Sequence, residues 1–413
     1  MKILFIARTC PYPANDGERI RVYNIIKNMS HHDVTLVYRS MTPADKEGIH
    51  ELNKYCKHVY PAYIPSPNSG FQKLKWILPF VFSKYPIGLS TVYFKEVQKI
   101  IQDSCEREDF DIIQIEHSSL TIYLDFLRIK NMPKTVLTMH NVDYVRNDRV
   151  IENLSFGVDK LYQIFNQMKF KQWEIESLKR YDHVIAMSEV DKQIMLNDAP
   201  ELDVSIVPNG VDTKAVSFDV STRLKSHNKK IVFVASMDSE ANHDGAMYFI
   251  DHVFPLIKQE SPDVELYVVG RSPRKELLNK SNDTGIIVTG MVDSVYDYYR
   301  EAAVSIVPLR SGGGTRLKIF ESMAIGVPVV STTVGAEGIN VSSGEDILLA
   351  DNPENFASAV LELLKNDVLY AGIVKRARSR MLEEYDWGVI AKQHDLVYEL
   401  LKANSTDSQV STC

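Results

Sequence analysis

Three consecutive glycines, Gly312, Gly313 and Gly314, stand between an apolar run, Val304–Leu309, and a helical pattern that carries Arg316, Lys318 and Glu321. Glycines let backbone amides come close to a ligand, and the amides that open a helix are unpaired and partly positive. Two cations beside such amides make a seat for an anion such as a phosphate or diphosphate. Lys318 and Glu321 are three residues apart and share one helix face, while Leu317, Phe320 and Ala324 form the stripe expected to face a sheet. One face is thus packing and the neighbouring face is left for chemistry.

Other polar residues sit where apolar runs end. His117 closes IIQIEHSS and His140 closes VLTMHNVD. A histidine there can orient a substrate or exchange a proton with it, and the alternative is a hydrogen-bonded structural histidine. His140 has the better claim, because Asn141, Asp143, Arg146 and Asp148 follow it in what reads as one polar loop. Asp16-Gly17 opens an amphipathic helix after the first apolar run; it either presents amides and a carboxylate to a ligand or only caps the helix, and both readings stand. GRSPR, from Gly270 to Arg274, has one glycine and is a weaker phosphate seat. Asp109-Phe110-Asp111 has the spacing of a metal-binding pair but precedes a strand, on the wrong edge of a parallel sheet, so it reads as solvated turn residues and we expect no metal site. The first run lacks a GxGxxG and the glycine loop lacks the Gly-Lys-Ser/Thr of a Walker loop.

The elements that must hold these residues alternate along the whole chain. Strand-length apolar runs are Lys2–Arg8, Val34–Arg39, Val59–Ile64, Asp111–His117, Thr135–His140 and His183–Ser188 in the first half. In the second half they are Lys230–Met237, Val264–Arg271, Ile286–Val292, Val304–Leu309, Pro328–Thr332 and Ile347–Ala350. Continuously apolar strands separated by helices mean parallel sheets covered on both faces. The rhythm breaks at the turn-rich Val207–Asp212 and the polar linker that follows to Lys230. We therefore expect an α/β protein of two doubly wound, Rossmann-like domains, 1–208 and 209–386, with a ligand cleft between them at the carboxyl ends of the strands. A last helix, 387–402, follows Tyr385-Asp386, and the polar tail 403–413 is expected to be disordered.

Composition narrows the class. The chain has 413 residues, 45% hydrophobic and 24% charged, with a net charge of −7. That suits a globular protein of two domains and argues against binding nucleic acid through phosphate neutralisation. Four scattered cysteines fit a reducing cytosol, and no run reaches the roughly 18 apolar residues a spanning helix needs. One region differs: Phe71–Tyr93 sets Trp76, Phe80, Phe82 and Tyr85 among Lys73, Lys75 and Lys84. It is expected to be a helix pair packed on the sheet with snorkelling lysines; the other reading is a segment resting on a membrane or gripping a lipid-like acceptor.

The motifs together resemble a known family. NGVD at Asn209–Asp212, VVGR at Val268–Arg271, VTGMV at Val288–Val292 and GGGTRLKIFESMAIGVPVVST at Gly312–Thr332 are similar to retaining glycosyltransferases of family four, the group 1 type with the GT-B fold. NDGERIRVYN at Asn15–Asn24 and HNVD at His140–Asp143 fit the acceptor domain of that family. The subgroup resembled opens its second domain with a Ser-Met-Asp turn, here Ser236-Met237-Asp238. The resemblance implies two domains facing a central cleft, with a C-terminal helix crossing back to the first. It implies that Arg316 and Lys318 hold the donor diphosphate with the amides of Gly312, Gly313, Gly314 and Thr315, helped by Ser236 and Arg271. Glu321 would accept from the nucleotide ribose, and the backbone of Met291 and Val292 would touch the base. His140 would sit by the reacting sugar, with Asp16, Gly17 and Asn141 toward the acceptor.

Two departures stand out. The paired glutamates of the family lie eight positions apart, which pairs Glu321 with Gly313, and the cation pair usual after the first strand of the second domain is absent from SMDSEANHDG. The expectation is an EC 2.4 hexosyltransferase of the cytoplasm, using a nucleotide sugar, a glycan or lipid-linked acceptor, no cofactor and no metal, with peripheral contact at the inner face of the cytoplasmic membrane. Its alternatives are an epimerase or phosphorylase on the same fold and, prompted by Gly313, a non-catalytic nucleotide-sugar binder.

Overall fold

A computed structural model describes residues 1–42, 46–67, 69–152, 157–214, 229–281 and 285–410. They divide into one compact unit of Met1–Pro208 with the chain from Ile390 onward, and a second of Asn209–Val389. Most of the polar linker before Lys230, residues 215–228, lies outside the described residues.

The first unit is built on β1 (Lys2–Thr9), β2 (Asp33–Ser40), β3 (His58–Tyr63), β4 (Ile112–Glu116), β5 (Lys134–Met139), β6 (His183–Ala186) and β7 (Val204–Ile206). They form a parallel sheet in the order β3-β2-β1-β4-β5-β6-β7. The second unit holds β8 (Lys230–Val234), β9 (Glu265–Val269), β10 (Ile286–Gly290), β11 (Val304–Val307), β12 (Val329–Ser331) and β13 (Leu348–Leu349). These are also parallel, in the order β10-β9-β8-β11-β12-β13. All twelve apolar runs read as strands are strands, because a parallel strand covered on both faces has no polar side to show; Ile3, Leu4, Ile6 and Ile231 are fully buried. The three-residue β7 carries no such run and was not expected.

Each sheet reverses its order once, between β1 and β4 and between β8 and β11. The loops leaving the carboxyl ends of those strands diverge there and open a crevice, which is where doubly wound sheets bind ligands. They are the loops that carry Asp16, His117, Ser236 and the three glycines.

Two expectations on helices need correction. The last helix runs from Trp387 to Val410, past Lys402 and into the tail expected to be disordered. No proline interrupts it and its one glycine, Gly388, lies in the first turn, so its hydrogen-bond ladder propagates through the polar residues; residues 411–413 lie outside the described ones. The aromatic, basic region is a helix, Gly70–Val81, and a 3₁₀ turn, Ile87–Thr91. Only Trp76, Ile77 and Phe80 of the helix turn inward; its outward stripe is apolar, with Lys75 snorkelling over the Phe71 ring and the rest of the stripe uncovered.

Candidate functional site

In the second unit, β11 leads through Pro308 and Leu309 into the glycine loop. Gly312 and Gly314 have φ of +111° and +78°, a region that side chains with a Cβ avoid, and a Cβ on Gly312 would come within 2.7 Å of Arg316 Nη2. Gly313 has no positive φ. The loop backbone is thus set by its outer glycines, and the backbone at the position where the family carries a glutamate does not itself demand glycine. Arg316 does not lie in the helix, as the pattern suggested; it is the N-cap, and its guanidinium donates back to the carbonyl of Gly313. The helix proper is Leu317–Ile325 and stops at Gly326 in the left-handed conformation.

Its packing face also differs from the stripe expected. Ser322 meets Ser305 of β11 at 2.8 Å, while Phe320 stacks on Tyr385 at 4.7 Å and Leu317 is only partly buried. The sheet side is therefore the one with Ser322, whose hydroxyl also donates to the Lys318 carbonyl at 2.8 Å and so needs no water. Lys318 and Glu321 stay half-buried at the sheet's carboxyl edge.

Lys318 is held by a relay that the sequence pattern did not display. Its ammonium donates to Asn242 Oδ1 at 3.1 Å and lies 4.7 Å from the centre of the Phe233 ring. Asn242 Nδ2 in turn donates to the Ser236 carbonyl at 2.9 Å. The Ser236 hydroxyl donates to Asp238 at 2.7 Å and accepts from Arg271 Nε at 2.8 Å. The loops after β8, β9 and β11 are thereby tied into one polar cluster with three cations, Arg271, Arg316 and Lys318. Burial and the nearby Arg316 charge push the Lys318 ammonium down to about 7, against the pull of Glu321. Burial pushes Glu321 up to about 7, opposed by Lys318. Hydrogen bonding from Ser236 holds the Asp238 carboxyl below its usual range.

NGVD finds a place in the same site. Asn209 Nδ2 donates to Thr315 Oγ1 at 2.8 Å, fixing the last residue of the loop, and Gly210 lies where a Cβ would strike Trp387 at 2.9 Å. Arg310, one residue before the loop begins at Ser311, pairs with Asp244 through Nε at 3.1 Å and lies over the Tyr248 ring. Met291 is 82% exposed and Val292 half-buried; they follow β10 at the sheet edge, with β9 between them and β8.

In the first unit, Asp16 is the helix cap: its carboxylate accepts from the Arg19 amide at 3.0 Å, and Gly17 starts the helix Gly17–Asn28. His140 follows β5 and donates from Nε2 to the buried Glu116 at 2.9 Å. Gln114 donates to the other Glu116 oxygen at 3.0 Å and to Thr138 at 2.7 Å, and accepts from Tyr398 of the last helix at 2.9 Å. That carboxylate fixes the imidazole as the Nε2–H tautomer and leaves Nδ1 as the basic atom. Beneath it the fully buried Arg21 donates to the carbonyls of Pro208 and Val207 at 2.7 and 3.0 Å and meets His394 at 3.1 Å. Burial lowers Arg21 to about 10, so it stays charged at neutral pH.

His117 is a structural residue. Its Nδ1 accepts from the Ser119 amide at 3.2 Å, Nε2 faces Asp143 at 3.2 Å, and burial holds it well below the usual histidine range. The polar loop expected after His140 is a helix, Asp143–Glu152, with Asp143 and Tyr144 buried. It forms because Glu174 accepts the Tyr144 amide at 2.9 Å and satisfies its open first turn. Asn141 is half-buried between His140 and that helix. Among the described residues, His31, His32 and Asp395 have ligand atoms within 4.8 Å of one another. They sit at the amino end of β2, away from both reversal points, and both imidazoles already share the Asp395 carboxylate at 3.0 and 2.9 Å.

The chain matches Glycosyltransferase Family 4 over residues 20–215 and Glycosyl transferases group 1 over residues 228–366. It is 25% identical, over 93% of its own length and 96% of the relative's, to an uncharacterized 44.6 kDa protein in the cps region of Klebsiella pneumoniae. It is 28% identical to a phosphatidyl-myo-inositol mannosyltransferase of Mycolicibacterium smegmatis, over 55% of this chain and 59% of that one. In structure it resembles Anabaena HepE, solved with UDP-glucose, at a TM-score of 0.66 and 16% identity, covering 98% of this chain and 100% of that one. No helix among the described residues is long and apolar enough to cross a membrane. With a family 4 domain and a group 1 domain on two Rossmann-like sheets, the chain is a glycosyltransferase of the group 1 family with the GT-B fold.

Proposed function

We propose that this enzyme moves a hexosyl group from a nucleotide-diphosphate sugar to a carbohydrate or lipid-linked acceptor, with retention of configuration and without a metal. The observation that carries this is the cluster at the β8/β11 reversal, where Asn242 holds Lys318, Ser236 joins Asn242 to Arg271, and Arg316 caps the helix just after the glycine loop. Breaking a sugar–diphosphate bond puts negative charge on the leaving phosphate and positive charge on the ring. Fixed donors at the phosphate favour that state over the intact donor, and removing one such donor typically costs about 10²–10³ in rate. Arg316 and Lys318 supply the positive charge that a divalent ion would otherwise bring, so transfer persists in EDTA.

Glu321, next to Lys318, takes the ribose hydroxyls, and the backbone at Met291 and Val292 takes the base. In the first unit His140, held by Glu116, serves the reacting sugar and the acceptor, which Asp16, Gly17 and Asn141 help to seat. No carboxylate among the described residues is assigned the role of covalent nucleophile. The acceptor then enters on the leaving-group face and gives its proton to the departing diphosphate, which yields retention. The HepE complex with UDP-glucose and the mannosyltransferase relative support a sugar donor, the latter also a lipid acceptor. A lipid-linked acceptor would bring the enzyme to the cytoplasmic face of a membrane. The test is product analysis with labelled nucleotide sugars and lipid or glycan acceptors: a glycosylated product of retained anomeric configuration is expected. Release of free nucleotide with no glycosylated acceptor would count against transfer.

A further inference from the structure

The helix Gly70–Val81 turns a fully apolar stripe to solvent. Phe71, Leu74, Leu78 and Val81 recur every three or four residues and are 67%, 53%, 56% and 42% exposed, and Phe82 just beyond is 91% exposed. Solvent-facing positions on a helix of a globular protein are normally polar. A second helix of the same unit, Val158–Leu178, does the same with Leu161, Tyr162, Phe165 and Met168, all at least half exposed. The second helix reaches the end of the first, where Lys169 donates to the Ser83 carbonyl at 2.7 Å. Apolar groups gathered on that scale on a water-facing surface mark an interaction site.

Charge selects the partner. From His58 to Lys95 the sequence has four lysines and no aspartate or glutamate, and from Lys160 to Trp173 it has three lysines and again no acid, in a chain whose net charge is −7. Lys73, Lys75 and Lys84 are exposed around the apolar stripe of the first helix. Lys75 folds over the Phe71 ring at 4.7 Å, as an ammonium does at a boundary between apolar and polar phases. A protein partner would call for shaped polar contacts, whereas a row of exposed large apolar side chains rimmed by lysines fits a headgroup layer. Behind the first helix a cavity of about 470 Å³ is lined by Trp76, Pro79, Phe80, Tyr93 and Phe126, with Glu96 and Lys95 at its wall.

We propose that these two helices form a membrane-docking surface for an anionic phospholipid bilayer. The apolar stripes enter the acyl boundary and the lysines stay among the headgroups. The inference deepens the lipid-linked reading of the acceptor and takes its purpose from it, but vesicle binding is measured without any sugar transfer. The experiment is co-sedimentation of the full chain with vesicles of phosphatidylcholine alone and of phosphatidylcholine with phosphatidylglycerol, at low and high salt. The wild type should pellet with the anionic vesicles, weakly with the neutral ones, and less at high salt. The pair Leu78→Ser and Phe82→Ser should lower the partition coefficient at least ~tenfold, and Lys73→Glu with Lys84→Glu should do the same at low salt. These positions are exposed, so unchanged melting temperatures will show that the variants are folded. Equal binding of wild type and variants, or none, overturns the proposal. So does a lipid-free dimer by light scattering that the same substitutions abolish, since the face would then be an interface between copies. Transfer to a soluble acceptor with no vesicle binding refutes the docking surface alone, and vesicle binding without transfer refutes the proposed reaction alone.

Discussion

Donor binding should pass through a maximum near neutral pH, and the two limbs belong to identifiable residues. In the free enzyme burial and Arg316 bring Lys318 to about 7, and burial brings Glu321 to about 7 from the other side. A bound diphosphate needs the ammonium charged, so above pH 7 binding must take up a proton and affinity falls as pH rises. A ribose hydroxyl needs an ionised acceptor, so below pH 7 binding must release a proton from Glu321 and affinity falls as pH drops. Each limb approaches a tenfold loss per pH unit, ~1.4 kcal/mol. Between pH 7 and 8.5 the charged fraction of Lys318 falls from about one half to about 3%, a loss of roughly 15-fold. Isothermal titration with a nucleotide sugar, whose diphosphate carries no proton that titrates in this range, measures it from pH 5.5 to 8.5. Buffers of different ionisation enthalpy report the proton count directly. Lys318→Arg should flatten the alkaline limb only, because a guanidinium stays charged, and Glu321→Gln should flatten the acid limb only. A pH-independent affinity with no proton uptake at pH 8.5 would refute the placement of the diphosphate at Lys318.

Other substitutions probe the supports. Asn242→Ala removes the acceptor that aims Lys318 and should lower kcat/KM for the donor roughly 10- to 100-fold with little change in melting temperature; an unchanged value would show that the relay does not position the lysine. His140→Ala should lower kcat about 10- to 100-fold, at the low end of acid–base effects, with donor affinity unchanged; wild-type turnover would remove His140 from the site. Gly312→Ala should cost about 1–2 kcal/mol of stability through its positive φ, whereas Gly313→Glu should leave the melting temperature unchanged. Equal destabilisation by the two would contradict the loop geometry described here.

What could be read from the sequence follows burial. The strands were legible because β1, β4, β8 and β11 lie inside parallel sheets and are apolar along most of their length. The boundaries of the glycine loop were legible because glycine, cation and helix stop each leave a mark on composition. The orientation of the helix after it was not. Ser322 occupies a sheet-facing position, and a rule that counts apolar residues cannot foresee a serine satisfied by Ser305 and a carbonyl. Glu116 was hidden for a similar reason: in IIQIEH it is one acid in a buried strand, and only the fold shows that it lies under His140. Asn209 and Asn242 lie far in sequence from Thr315 and Lys318, so no local pattern joins them. The Gly70–Val81 helix was misread because it is apolar on both sides, with Trp76 and Phe80 inward and Phe71, Leu74 and Leu78 outward; periodicity cannot say which side meets water.

The central claim is that the β8/β11 loop holds the diphosphate of a nucleotide sugar through Lys318. Titrating uridine, guanosine and adenosine diphosphate sugars into the wild type and into Lys318→Ala tests it most directly. One base should saturate the wild type and bind the variant at least ~100-fold more weakly, with both proteins melting at similar temperatures. Undiminished binding by the variant, or no binding of any of the three by the wild type, would contradict it.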